Sequence, residues 1–419
     1  MIKLQKDLTD YLLPLVILFP LLLITGPFLP DLVVVLFSLF FLFKYLNFEF
    51  NKKSRFFLLS ILLFYLLINI SSLLSDHILI SLKSSFFYFR FIFFAFIIAI
   101  LVPKLEKDER SSKYFNFTFQ TIILFFLVDS FYQFFTGENI FGMKVSSNLA
   151  SQRVSSLFGD QLILGSFISK VMFIYLGFLH SQSDKKKIFS IDYKILFIFI
   201  ICLAIIFISG DRSALVLATI GTIAYYMINL KFKSILIIFS IMTVIFFSAI
   251  GKKDFKIRYI NLYTSIFVNK EIGHNIHHQH FKTSYKMFKE KKIFGHGIKS
   301  FRNKCGLEKF KSGPRSCSTH PHNYYLQILS STGFITFLIL SILFLFISKE
   351  LFLSFKKKLL REKINNKKNC YLISMFISIF PLATTGSFFN NWISITIYLS
   401  LGFLISEYKL IKYSSKKIN

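Results

Sequence analysis

Acidic side chains are scarce in this chain: 21 Asp and Glu stand against 50 Lys and Arg in 419 residues, a formal net charge of +29. Such an excess would suit a polyanionic partner. The basic residues, however, fall in clusters between apolar runs of membrane-spanning length, a topological pattern that excludes a nucleic-acid partner. No cleavable leader is expected either, because the first apolar run, Tyr11 to Ile24, ends in Thr25-Gly26-Pro27 with no small-x-small pattern; it is expected to remain as a membrane helix. There is no internal repeat and no linker that would separate domains. Cysteine is limited to four residues, of which Cys202 and Cys370 sit in or beside apolar runs, while Cys305 and Cys317 flank one polar loop.

What the chain has in quantity is apolar surface: 54% of residues are hydrophobic and 18% aromatic. That exceeds the needs of a soluble core of this size. Apolar runs begin near Tyr11, Asp31, Phe56, Ser85, Phe115, Gln161, Ile195, Ser213, Ser234, Leu326, Cys370 and Trp392, so the expectation is an all-α polytopic membrane protein of about twelve spans. Alternate connections are basic (Lys52 to Arg55, Lys104 to Lys113, Lys185 to Lys187, Lys349 to Lys368), whereas Thr25 to Leu29 and Thr384 to Asn391 carry no Lys or Arg. Both termini are therefore expected in the cytoplasm and the long loop outside. The organisation read from this pattern is nine helices over 1–251, a periplasmic loop over 252–325 with short helices at 281–288, and three helices plus a tail over 326–419.

Chemistry-bearing residues gather at the outer helix ends. Ser318-Thr319-His320-Pro321-His322-Asn323 places two imidazoles just before a membrane helix, and imidazole is the side chain that exchanges protons near neutral pH. If Asn323 starts that helix, Gln327 and Ser330 or Ser331 continue a polar stripe on one face; the bland alternative is a pair of interfacial histidines at a helix start. Arg212, in Ser209-Gly210-Asp211-Arg212-Ser213, is placed to meet an anion with two parallel N–H donors, or simply to pair with Asp211. Arg90 lies in aromatic sequence near the start of the fourth span, and Lys170 lies inside the sixth; either is costly in lipid unless it has a partner or reaches the interface. Asp129 and Gln133 stand one turn apart and either pair internally, with Arg90 or Arg153 as partner, or bind substrate. His274, His277, His278 and His280 have helix-compatible spacings, but no carboxylate stands among them, and a solvated loop is favoured over a metal site. Cys305 and Cys317 form a disulfide or remain two free thiols.

At these residues the sequence resembles the O-antigen ligase and O-antigen polymerase superfamily of bacterial membrane glycosyltransferases. The resemblance rests on His320-x-His322-Asn323 with Gly333, Ser209 to Arg212, Val128 to Gln133 leading to Gly137, Arg153 with Gly159-Asp160, Gly295-His296-Gly297 before Phe301, and Gly386 to Phe389, across roughly residues 80 to 405. It implies a glycan carried on undecaprenyl pyrophosphate and transferred at the outer face of the inner membrane, to lipid A core by a ligase or to another lipid-linked unit by a polymerase. No cofactor, metal or ATP is expected, since the donor carries the energy. Glu106-Lys107-Asp108, the one close approach to the D-x-D of metal-dependent transfer, reads as a solvated cytoplasmic loop. In the mechanism this implies, His322 is the base with His320 assisting, Arg212 with Arg90 or Arg153 holds the pyrophosphate, and Asn323, Asp129 and Gln133 contact substrate. A competing reading from another class, a lipid-linked sugar flippase, would call for inverted repeats and polar residues at mid-depth.

Overall fold

In lipid a spanning backbone must satisfy its own hydrogen bonds, and an apolar run has one local way to do so, the helix. The computed structural model describes residues 8–45, 49–50, 52–145, 153–182, 188–249, 276–408 and 411–412. Within them the helices are α1 (Leu13–Leu22), α2 (Phe28–Tyr45), α3 (Lys52–Leu73), α4 (Ile78–Ser85), α5 (Phe89–Lys107), α6 (Glu109–Thr136), α7 (Leu164–Ser181), α8 (Ile188–Ile208), α9 (Arg212–Ile228), α10 (Phe232–Ala249), α11 (Ile276–Glu290), α12 (Phe301–Lys304), α13 (Tyr324–Leu359), α14 (Asn366–Ser378) and α15 (Asn391–Tyr408). Among the described residues, four stretches qualify by length and composition to cross a membrane: Ile78–Lys107, Glu109–Thr136, Leu164–Ser181 and Tyr324–Leu359. Large apolar side chains such as Leu59, Phe117, Leu124 and Leu345 point outward from the bundle, as a lipid-facing surface requires. The strand content among the described residues is one short antiparallel pairing of Glu49–Phe50 with Ile411–Lys412.

The bundle is densest around α5, α7, α14 and α15. α15 lies along α5, α14 along α7, and α11 along the start of α13. Gly402 of α15 permits the first of these contacts, since a Cβ there would stand 2.7 Å from Ile98 and 2.8 Å from the Ala95 carbonyl; small residues let helix backbones approach without a hydrophobic driving force. One end of the bundle is tied by charge. Lys367 bridges Glu106 at 2.7 Å and Glu407 at 2.6 Å, and Lys368 meets Glu350 at 2.7 Å.

At the opposite end the polar segment 276–323 forms a cap. Its first helix, α11, runs from Ile276 to Glu290 and so exceeds the expected 281–288 at both ends; His274 lies outside the described residues. The cap docks on a break in α13. Gly333 has φ 83° and ψ −176°, interrupting the helix, and the carbonyls freed there accept the amides of His296 (Ser330 O, 3.0 Å) and Gly297 (Ser331 O, 2.8 Å), while Phe334 N donates to Lys292 O at 2.9 Å. A Cβ on Gly333 would sit 1.9 Å from the Ile293 carbonyl oxygen, so only glycine supplies both the left-handed backbone and the room. Cys305 and Cys317 are disulfide-bonded across twelve residues of sequence.

Candidate active site

The segment 318–327 is built from the helix start outward. Asn323 is the N-cap of α13: its Oδ1 accepts from Leu326 N at 3.0 Å, and its Nδ2 donates to the carbonyls of Pro381 (2.6 Å) and Ala383 (3.2 Å). Gln327 donates to Ser387 Oγ at 2.8 Å and accepts from Phe388 N at 2.8 Å, and Tyr325 OH donates to Ile379 O at 2.8 Å. The polar stripe expected on this helix face therefore exists, but it clamps the connection between α14 and α15. Asn323, expected to contact substrate, is buried and engaged through both its oxygen and its nitrogen, which gives it a capping and positioning role here.

The same clamp fixes His322. Its carbonyl accepts from Thr385 N at 2.9 Å, and its φ of 59° is a left-handed conformation that costs a residue with a Cβ about 1–3 kcal/mol. Four imidazoles meet here. The His322 ring lies 4.1 Å from that of His320, 5.2 Å from that of His280 in a stacked arrangement, and 5.2 Å from that of His277 edge-on. His277 and His280 come from α11, three residues apart on one helix face, so the cap supplies half of the cluster. These two are the site residues that sequence reading assigned to a solvated loop; their i, i+3 spacing was the available signal. Among the described residues no set of three His, Cys, Asp or Glu side chains has the geometry to hold a metal ion.

Burial and mutual repulsion keep these rings neutral. Burial, aided by the charges that His320, His277 and His280 would carry, pushes His322 down to about 3. His320 is held down to about 4, chiefly by burial and further by the His280, Arg302 and His277 charges. His277 and His280 are also lowered, mainly by burial, and Arg212 contributes to the shift at His277. The Thr385 carbonyl opposes the trend at both His320 and His322. Rings this close share their protons as one unit. At neutral pH each ring is neutral, with one N–H and one acceptor nitrogen; His322 Nε2 lies 3.1 Å from Ser318 Oγ and His320 Nδ1 2.8 Å from Thr319 Oγ1.

Arg212 opens α9 and lies within electrostatic reach of His277. Its neighbour Asp211 caps α9 by accepting from Ala214 N at 3.2 Å and pairs with Arg153 at 3.6 Å, so Arg153 backs the Arg212 element. The remaining candidates lie elsewhere. Arg90, expected at the pyrophosphate, donates to Asp31 through Nε (3.1 Å) and Nη2 (2.9 Å) and to the Phe87 carbonyl at 3.3 Å, an ion pair between α2 and α5. Asp129 and Gln133 are fully buried. Asp129 accepts from Ile140 N at 2.8 Å and from Ser156 Oγ, and Gln133 accepts from Ser155 N (3.1 Å) and Ser156 N (2.7 Å) and donates to Met143 O (3.1 Å). Both hold the connection between α6 and α7, and among the described residues the partner of Asp129 is that connection, not Arg90 or Arg153. Lys170 is buried and donates to Thr396 Oγ1 at 3.2 Å.

A second set of contacts locks the cap in place. His296 is wholly buried, with Nε2 2.9 Å from Met287 O and Nδ1 3.0 Å from Lys304 Nζ. Because an ammonium can only donate, Nδ1 must accept and Nε2–H must donate, which fixes the tautomer. Lys304 also meets Asp76, which Lys291 approaches at 3.2 Å. Burial holds His296 down to about 4, and the two lysines keep the Asp76 carboxyl well below its usual range. A cavity of about 700 Å³ between α1 and α6 is built from other elements and takes no part in this site.

The molecule is thus a multi-helical membrane protein with an imidazole cluster where its polar cap meets the start of α13. Residues 197–341, which hold Arg212, the cap and the His320-x-His322-Asn323 motif, match the family described as Wzy_C, O-antigen ligase. The match spans about a third of the chain and supports a likeness to the O-antigen ligase superfamily, a family of membrane glycosyltransferase-type enzymes. No curated protein matches the chain.

Proposed function

We propose that the protein transfers a glycan from undecaprenyl pyrophosphate to an acceptor sugar at the periplasmic face of the bacterial inner membrane, as an O-antigen ligase acting on lipid A core. The observation that carries this reading is the convergence of neutral imidazoles with Arg212 at one end of the bundle, inside the region that matches the ligase family. His322 accepts the proton of the acceptor hydroxyl as that oxygen bonds to the anomeric carbon. The bond from the anomeric carbon to the phosphate oxygen breaks, and its electron pair departs on the diphosphate. Arg212 stabilises that developing charge with its planar fork. A single displacement inverts the anomeric centre. Arg153 takes part through Asp211 rather than by direct contact, and His320 orients or assists His322.

The purified full-length protein, reconstituted with lipid-linked glycan and separate acceptors, tests this. Product on lipid A core supports the ligase, product on a second lipid-linked unit identifies a polymerase, and movement of intact lipid-linked glycan across the bilayer without transfer would overturn the reading in favour of a flippase. Arg212→Lys keeps the charge but loses the fork, and transfer should fall by roughly tenfold.

A further inference from the structure

Two cations, Lys83 and Arg302, lie within electrostatic reach of a third, Lys299, where α4 packs on the turn leading into α12. Ser81 Oγ donates to the Ile298 carbonyl at 2.7 Å, and Gly297 packs so closely on Ser75 and Ser81 that a Cβ would stand 2.4 Å from Ser75. This contact fixes the turn to α4 beside Lys83. Lys299 follows at φ 63°, half-buried, and Arg302 stands exposed in α12. Lys83 and Arg302 both act electrostatically on Lys299, and with burial they pull its ammonium below the ordinary range; Arg302 also reaches His320. The carboxylate of this region, Asp76, is already held by Lys291 and Lys304. Among the described residues no carboxylate pairs with Lys83, Lys299 or Arg302, and the buried hydroxyl of Ser300, between the last two, has no hydrogen-bond partner.

Like charges drawn together from two chain segments, one of them half-buried, repel one another unless an anion lies between them. We propose that Lys83, Lys299 and Arg302 form a binding site for a phosphate or carboxylate group on the acceptor glycan, on the His320 side of the cluster and apart from the donor diphosphate at Arg212. The site selects an acidic acceptor; calling its ligand the acceptor rests on the transfer reading above, whereas binding itself does not.

The test is calorimetric and needs neither donor nor turnover. Full-length protein in nanodiscs of zwitterionic lipid is titrated with a phosphorylated oligosaccharide and with its phosphatase-treated counterpart. The expected result is at least tenfold tighter binding of the phosphorylated form by wild type, lost in Lys299→Gln/Arg302→Gln and retained in both Arg212→Gln and His322→Ala. Lys83→Gln, exposed and on another helix, should reduce the preference at least threefold. Equal affinity for the two saccharides in wild type, or an undiminished preference in the variants, overturns the site. Abolition of the preference by nanodiscs of anionic lipid, with wild-type protein otherwise unchanged, assigns the site to a lipid headgroup and overturns the glycan assignment. Because His322→Ala stops transfer but should keep the preference, failure of the site and failure of the mechanism give different results.

Discussion

At the scale of single residues, the chemistry depends on imidazoles kept neutral. His296 and His320 are held down to about 4 and His322 to about 3, against an ordinary value of about 6.5. Their folded forms thus bind protons less readily than the unfolded chain. The stability they contribute is full above pH ~6.5 and is lost progressively as pH falls toward the folded values. Thermal unfolding in one detergent should give a lower Tm at pH 5 than at pH 7.5, and His296→Gln should narrow the gap; identical midpoints would contradict the assignment. Part of this site was legible in the sequence and part was not. Pro321 between two histidines and Asn323 at a helix start could be read directly. The role of Asp129 and Gln133 could not, because the donors they satisfy, at Ile140, Ser155 and Ser156, are main-chain amides and mostly leave no trace in residue type.

At the scale of elements, the interrupted helix α13 is the seat of the cap. Gly333→Ala would force a Cβ against the Ile293 carbonyl in a left-handed backbone, and the combined strain and overpacking should cost roughly 2–5 kcal/mol. Hydrogen exchange of the His296, Gly297 and Phe334 amides, bonded across this junction, should accelerate in the variant; unchanged protection would show that the break is not what holds the cap. The apolar run after Gly333 marks a helix in sequence, and the glycine is singled out there by the family resemblance alone, with no sign that it breaks a helix already begun at Tyr324. Only the neighbouring backbone at 292–297 shows why that position is glycine. Likewise, the His277 and His280 face of α11 was periodic in sequence, yet periodicity does not say which surface such a face meets.

At the scale of the whole molecule, apolar patterning gave the helical class, since each run had one backbone solution in lipid. Charge patterning gave the connections between runs but not the pairs that join them. Glu106, read as part of a solvated loop, proves to be tied to Lys367 and thereby to Glu407, three elements brought together far apart in sequence. These groups are largely buried, so Lys367→Met leaves two uncompensated carboxylates and should destabilise by roughly 3–5 kcal/mol. The triple variant Glu106→Gln/Glu407→Gln/Lys367→Met should recover much of that loss in thermal unfolding, and equal damage in both would argue against the network.

The central claim is that an imidazole on the α13 entry accepts the proton of the attacking sugar hydroxyl. Single-turnover transfer by purified His322→Ala, with lipid-linked glycan bound and the cap's unfolding midpoint checked against wild type, tests it most directly. The account predicts a fall of at least about 10²-fold in the transfer rate with donor binding retained, whereas transfer at the wild-type rate by a folded variant would contradict it.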